Sequence, residues 1–220
     1  MAESRFIMLG VIHGDQAGPC LLEDWLHRIR PEVITLEFSQ YGLQLRRERG
    51  EAYRGRIQQV RDRLEENGDP CSREAESMLT SYISLPYEFE AASVYASEHA
   101  VPFYLIDMDF FSYLKLRKID ELMSEDNIRK VLSDVEGPIG NQEEAMAGLF
   151  FEKGLNAFPY DDEMYIRDKY MAEKIRVLME YHTNRRFLHL CGWRHLLDPS
   201  NVYAALEPTK VFSHDKTLCF

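Results

Sequence analysis

An α/β fold is expected: a mostly parallel sheet flanked by helices, with an α-helical insertion or cap. Three observations predict it. Short apolar runs alternate with segments of helical periodicity, the pattern of βα units. The runs are apolar throughout rather than alternating, as in strands buried on both faces. Two of them, at the head and tail of the chain, end in the same way, as Gly10-x-x-His13 and Gly192-x-x-His195. In an open parallel sheet ligands sit beyond the carboxyl ends of strands. Two imidazoles delivered to that edge would meet at one site.

The first strand is expected over 5–12, with Gly14 and Asp15 turning the chain after His13. Pro19 suits the first position of a helix. Leu21, Leu22, Trp25, Leu26 and Ile29 carry that helix to Pro31, which stops it. The second strand, 32–37, ends on Glu37 as the first ends near His13. An arginine-rich helix is expected over 41–66. Its arginines interleave with acids, so a solvated face is favoured over an anion clamp. Further helices are expected from Ser72 and over 86–99, and a third strand over 101–107, closed by Asp107 with Asp109 just beyond. Two or three helices fill 110–154, broken at 137–140. A long helix follows over 161–182. A fourth strand is expected over 186–191, then a short helix over 201–207 capped from Asp198, and an edge strand at 211–213. The whole reads as a single domain, 1–220, with its insertion or cap within about 40–85 or 110–160.

Charge and composition narrow the function. The formal net charge is −11, which opposes nucleic acid and anionic membranes as partners. No apolar stretch approaches the roughly 20 residues of a membrane span. Met-Ala-Glu-Ser-Arg leads directly into a strand, so no signal peptide is expected. Cys20, Cys71, Cys191 and Cys219 form no C-x-x-C pair. A reduced, cytoplasmic protein is the expectation. The sequence sets no oligomeric state, and an oligomer is compatible with it.

Neutral imidazole and carboxylate are the ligands of Zn²⁺, Mn²⁺ or Fe²⁺ in hydrolytic sites. Such an ion brings the pKa of its bound water to about 7. Without metal, His13 or His195 paired with Glu37 would serve as a general base. Arginine, with a planar fork that stays charged, suits a substrate carboxylate or oxyanion. The bland readings stand beside these. A lone histidine after a strand is usually structural, a strand-end acid is usually a cap or ion-pair partner, and Arg167 would ordinarily be a surface residue. His27, His182 and His214 are expected at structural or surface positions. His189 is expected to be a satisfied core histidine, and Cys191 has no evident activating base.

Six motifs together resemble the TraB/PrgY–TIKI group, within the superfamily of erythromycin esterases and ChaN haem-binding proteins. They are Gly10-Val-Ile-His-Gly-Asp15, Pro31-Glu-Val-Ile-Thr-Leu-Glu37, Tyr87-Glu-Phe-Glu-Ala-Ala92, Val101-Pro-Phe-Tyr-Leu-Ile-Asp107, Ile166-Arg-Asp-Lys-Tyr-Met-Ala172 and Cys191-Gly-Trp-Arg-His195. The resemblance implies that His13 and His195 are the motif histidines, Glu37 the motif acid, Arg167 the family arginine and Glu88 the glutamate opening a helix. Glu90 is the alternative to Glu88. It further implies a metal-dependent, peptidase-like hydrolase acting on a peptide or small molecule. His13, Glu37 and His195 would then surround Mn²⁺, Co²⁺ or Zn²⁺. The esterase branch implies a metal-free histidine base. The ChaN branch implies a non-catalytic haem or ligand-binding protein, with Tyr87, Tyr104 or His99 as axial ligands. Haem is the least favoured of these cofactors. Trp193 and Arg194 stand where small residues are common, and would narrow a pocket or add positive charge to it.

Overall fold

The computed structural model of the chain describes residues 5–133 and 160–215. The break expected at 137–140 and Cys219 lie outside them. The fold is α/β, with an all-parallel five-stranded sheet among the described residues. The strands are β1 (Phe6–Val11), β2 (Val33–Leu36), β3 (Phe103–Leu105), β4 (Phe187–Gly192) and β5 (Thr209–Phe212), in the order β3-β2-β4-β1-β5. Every residue of β1, β2 and β4 is buried. That accounts for their largely apolar character, since both faces are covered; Thr35 and His189 are the buried polar exceptions. The last short run is indeed an edge strand, and at four residues it is only partly buried.

The helix α1 (Gly18–Ile29) connects β1 to β2, but those strands are not neighbours. β4, from the far end of the chain, lies between them, with Gly10 opposite Cys191 and Val11 opposite Gly192. The two Gly-x-x-His turns therefore leave the sheet side by side. The helix α4 (Tyr87–His99) packs against α1 and β2. The long helix running from Asp162 to Tyr181 supplies Met171, Ala172 and Ile175 to a core with Phe6, Met8, Val33 and Phe187. These strand residues point to one side of the sheet, and Ile7, Leu9, Ile34 and Leu188, also buried, to the other.

The chain divides into two compact units. The sheet unit is built from the described parts of Met1–Ser39, Pro86–Met108 and Glu143–Phe220. The second is helical, built from Gln40–Leu85 and the helices from Asp109 on. There α2 (Gln40–Asn67) presents Tyr53, Ile57, Val60 and Leu64 at helical spacing. They share a core with Ala75, Leu79 and Ile83 of α3 (Arg73–Ile83), with Leu116 of α5 (Asp109–Leu116), and with Ile128 and Leu132 of α7 (Glu125–Ser133). A short α6 (Ile119–Leu122) joins the last two; the long helix of the sheet unit is accordingly α8. Ser72 caps α3 by accepting from Ala75 N–H. The solvated face expected for α2 is present: Arg47, Arg49, Arg54 and Arg63 are exposed, and Arg46, Arg56 and Arg61 are partly buried. Arg49 pairs with Asp120, Arg61 with Glu76 and Arg63 with Glu125, while Arg56 donates to the Met123 carbonyl at 2.6 Å. They tie α2 to the helices beside it.

One local expectation needs correction. The helix expected over 201–207 is only a 3₁₀ turn, Ala204–Leu206. Asp198 does accept from the N–H groups of Val202 and Tyr203. Asn201 and Glu207, however, both take the left-handed conformation, at φ 52° and 51°, which no α-helix can include. A second 3₁₀ turn, Trp193–Leu196, follows β4 directly. It folds His195 back to the strand ends. No described helix is long and apolar enough to cross a membrane.

Candidate active site

Each strand of the four-strand set β3-β2-β4-β1 delivers one acid or imidazole at or just past its carboxyl end. β1 leads to His13, β2 to Glu37, β3 to Asp107, and β4 to His195. Glu37 lies at the centre. Its own N–H continues the ladder to the Leu190 carbonyl at 2.8 Å, so the side chain starts from fixed backbone. Its Oε2 accepts from the Gly192 N–H at 2.7 Å. Its Oε1 accepts from His195 Nε2 at 2.9 Å and from the Arg167 guanidinium. Arg167 also grips Asp107, with Nε at 3.0 Å and Nη2 at 2.9 Å. The arginine expected to meet a substrate thus has its fork turned to two protein carboxylates. Asp109 takes no part, because it accepts from the Tyr41 N–H in the helical unit.

His195 is held at both ring nitrogens, Nδ1 by Asp168 and Nε2 by Glu37. Asp168 is fully buried and also accepts from Tyr160 at 2.6 Å and Tyr203 at 2.9 Å. Sequence reasoning missed it, although it stands next to Arg167 in the same motif. Consecutive residues on a helix point about 100° apart. An Arg-Asp pair at a sheet edge can therefore serve two strands at once.

His13 differs from His195. Its Nδ1 meets Glu88 Oε1 at 2.8 Å, and no other hydrogen bond to its ring is made among the described residues. The ring keeps 58% of its side-chain surface accessible, while Glu88 keeps 2%. Glu88 lies in the first turn of α4, where the helix dipole favours a carboxylate. Its Oε2 is buried without a partner among the described residues. Glu90 is exposed, so of the two candidate glutamates Glu88 is the one at the site. Beside it, Tyr87 donates to the Ile12 carbonyl at 3.1 Å and pins the strand end just before His13.

The two motif glycines explain each other. A Cβ on Gly10 would lie 2.5 Å from Leu196 Cδ1 and 2.9 Å from Trp193 Cα. A Cβ on Gly192 would lie 2.8 Å from His13 Nε2. Each glycine makes room for the turn that leaves the neighbouring strand. The consequences should differ. Gly10→Ala meets backbone and is expected to cost about 1–3 kcal/mol of stability by overpacking. Gly192→Ala meets a half-exposed ring that can swing away, so it should displace His13 with little loss of stability. Thermal melts of both variants, with the His13 ring followed by NMR, check the contrast.

The charges are strongly coupled. Burial opposes ionisation of Glu37, but the charges of His195 and Arg167 and the His195 hydrogen bond hold it well below the usual carboxylate range. Burial likewise opposes charge on His195, yet Glu37 and Asp168 raise it to about 10. Close packing acts against charge on His13 despite its accessible surface, and is outweighed by Glu88 and then Glu37, giving about 9. Arg167 is raised further above its ordinary value: burial works against it, and Glu37 and Asp107 prevail. His189 behaves in the opposite sense. Burial lowers it to about 4, so it stays neutral. It is only half satisfied: Nδ1 meets Thr35 Oγ1 at 3.1 Å, whereas Nε2 is buried without a partner among the described residues.

A metal held by His13, Glu37 and His195 would need lone pairs that are free to converge. Both nitrogens of His195 and both oxygens of Glu37 are already engaged, and Arg167 places a positive charge against Glu37. Among the described residues, no group of three His, Cys, Asp or Glu side chains is arranged to hold an ion. The donor set as arranged does not fit the metal. Compared with protein-family models, with curated proteins and with solved structures, this chain has no match.

Proposed function

We propose that this protein hydrolyses an ester or amide bond, with His13 as general base and acid and Glu88 as its orienting carboxylate. The observation that carries the reading is the His13–Glu88 bond at 2.8 Å, with a buried acid behind a half-exposed ring. A carboxylate on Nδ1 fixes the tautomer whose Nε2 is free to take a proton. In the proposed step Nε2 removes a proton from water as the water oxygen attacks the carbonyl carbon. The resulting imidazolium returns that proton to the leaving alcohol or amine as its bond to carbon breaks. Arg167, His195, Asp107 and Glu37 form a rigid charged base beneath. Membership of the TraB/PrgY–TIKI group is part of the same proposal. It is supported by the way residues from all six quoted motifs gather around one sheet edge.

The test is turnover of a panel of aryl esters and short peptide amides by protein purified without chelator, with elemental analysis alongside. Ester or amide hydrolysis that persists in excess chelator is the expected result. Activity lost in chelator and restored by Mn²⁺ or Co²⁺ would overturn the metal-free form and return the metal-dependent, peptidase-like reading. Tight retention of a coloured ligand with no turnover would favour a binding protein instead.

A further inference from the structure

We infer that Asp168, with Tyr160 and Tyr203, is the positioning device that locks His195 and through it sets the charge and direction of Glu37; this rests on the hydrolase reading for its purpose but not for its test. Asp168 is fully buried. A buried carboxylate needs several donors to remain charged. Here it has three: Tyr160 at 2.6 Å, Tyr203 at 2.9 Å, and His195 Nδ1. Tyr160 comes from just before α8, Tyr203 from the loop before β5, and His195 from the turn after β4. Three separate segments are therefore gathered on one side chain. His195 Nε2 then has a single outlet, Glu37 Oε1 at 2.9 Å. With Nδ1 committed to Asp168, the ring cannot flip without breaking its hydrogen bonds to both carboxylates. The order of dependence runs Tyr160 and Tyr203, Asp168, His195, Glu37, and Glu37 in turn receives the Gly192 N–H beside His13.

The two tyrosines compete with His195 for the same acceptor. That gives the arrangement a signature which mere structural support lacks. Tyr203 donates to Oδ1, the oxygen that also faces His195, and Tyr160 to Oδ2. Removing either hydroxyl concentrates the carboxylate charge on the His195 bond. Replacing the carboxylate by an amide weakens that bond.

The experiment is proton–nitrogen NMR of the histidine rings in the full-length chain, with His195→Gln assigning the signal. In wild type the His195 Nδ1 proton should lie far downfield, as short charged hydrogen bonds do. Tyr203→Phe, and to a smaller extent Tyr160→Phe, should move it further downfield. Asp168→Asn should move it upfield or abolish it, and Asp168→Glu should restore part of the shift. If Asp168→Asn does not fold, the tyrosine variants alone decide. Shifts in the tyrosine variants that are absent or upfield, with the amide spectrum otherwise unchanged, overturn the inference. The readout needs no substrate. Silent NMR with a large activity loss in His13→Ala would sink this inference and spare the hydrolase, and the reverse result would do the opposite.

Discussion

His13→Ala is expected to lower kcat/KM on the best ester or amide by about 10²–10⁴-fold, the usual contribution of a positioned general base. The chain should remain folded. His13 is half exposed, so its removal lets water reach the Glu88 carboxylate that it covered. The pH profile should carry the mark of the pair. His13 is raised to about 9, so at neutral pH most of the rings are protonated and only a small fraction can accept a proton. Below that value kcat/KM should climb about tenfold per pH unit, then level off. Glu88→Gln removes the largest influence raising the ring, leaving close packing opposed by the weaker influence of Glu37. The break should move toward the ordinary imidazole value of about 6.5, and the plateau should fall because the base is weaker. Steady-state kinetics over pH 5–10 checks both. Activity within about threefold of wild type in His13→Ala would end the proposal for this residue.

The sequence makes this site legible because its residues stop where strands stop. His13, Glu37 and Asp107 each close an apolar run, and a parallel sheet brings such ends to one rim. The fourth contribution needed more. His195 lies three residues past Gly192, and a 3₁₀ turn with no local signature returns it to the rim. The strand order was also hidden. Periodicity identifies strands but not neighbours: β1 and β2, joined by α1, do not pair, because β4 lies between them. The twin glycines held the clue, since two crowded turns of the same design need room beside each other. Asp168 was masked by its neighbour Arg167, because an acid beside a cation on a helix ordinarily signals a solvated surface. The metal reading shows another limit. Residue types reveal which atoms are able to bind an ion, whereas only geometry reveals that Glu37 and His195 have already committed theirs to Arg167, Gly192 and Asp168. Function therefore depends on which lone pairs the fold leaves open.

Glu37→Gln should be the most destabilising conservative change at the site. Glutamine preserves an acceptor for the Gly192 N–H, and its volume is almost unchanged. What is lost is the negative charge between two buried cations, Arg167 and His195. Removing one partner from a buried ionic cluster typically costs about 3–5 kcal/mol, because the remaining charges stay desolvated. In a chain of this length that corresponds to a fall in Tm on the order of 10 °C. The pH dependence identifies the cause. Glu37 has a depressed folded pKa, so its stabilisation is present above the unfolded carboxyl value of about 4.3 and is lost as pH falls toward the folded value. His195 is raised to about 10, so its stabilisation is complete below the unfolded imidazole value of about 6.5 and is lost as pH rises toward 10. The difference between wild type and Glu37→Gln should therefore be greatest between about pH 4.5 and 6.5 and should shrink toward pH 10, where His195 gives up its proton. Denaturant unfolding of both proteins across that range measures it. A difference below about 1 kcal/mol, or one independent of pH, would mean that hydrogen bonds alone hold the rim together and that the buried charges contribute nothing net.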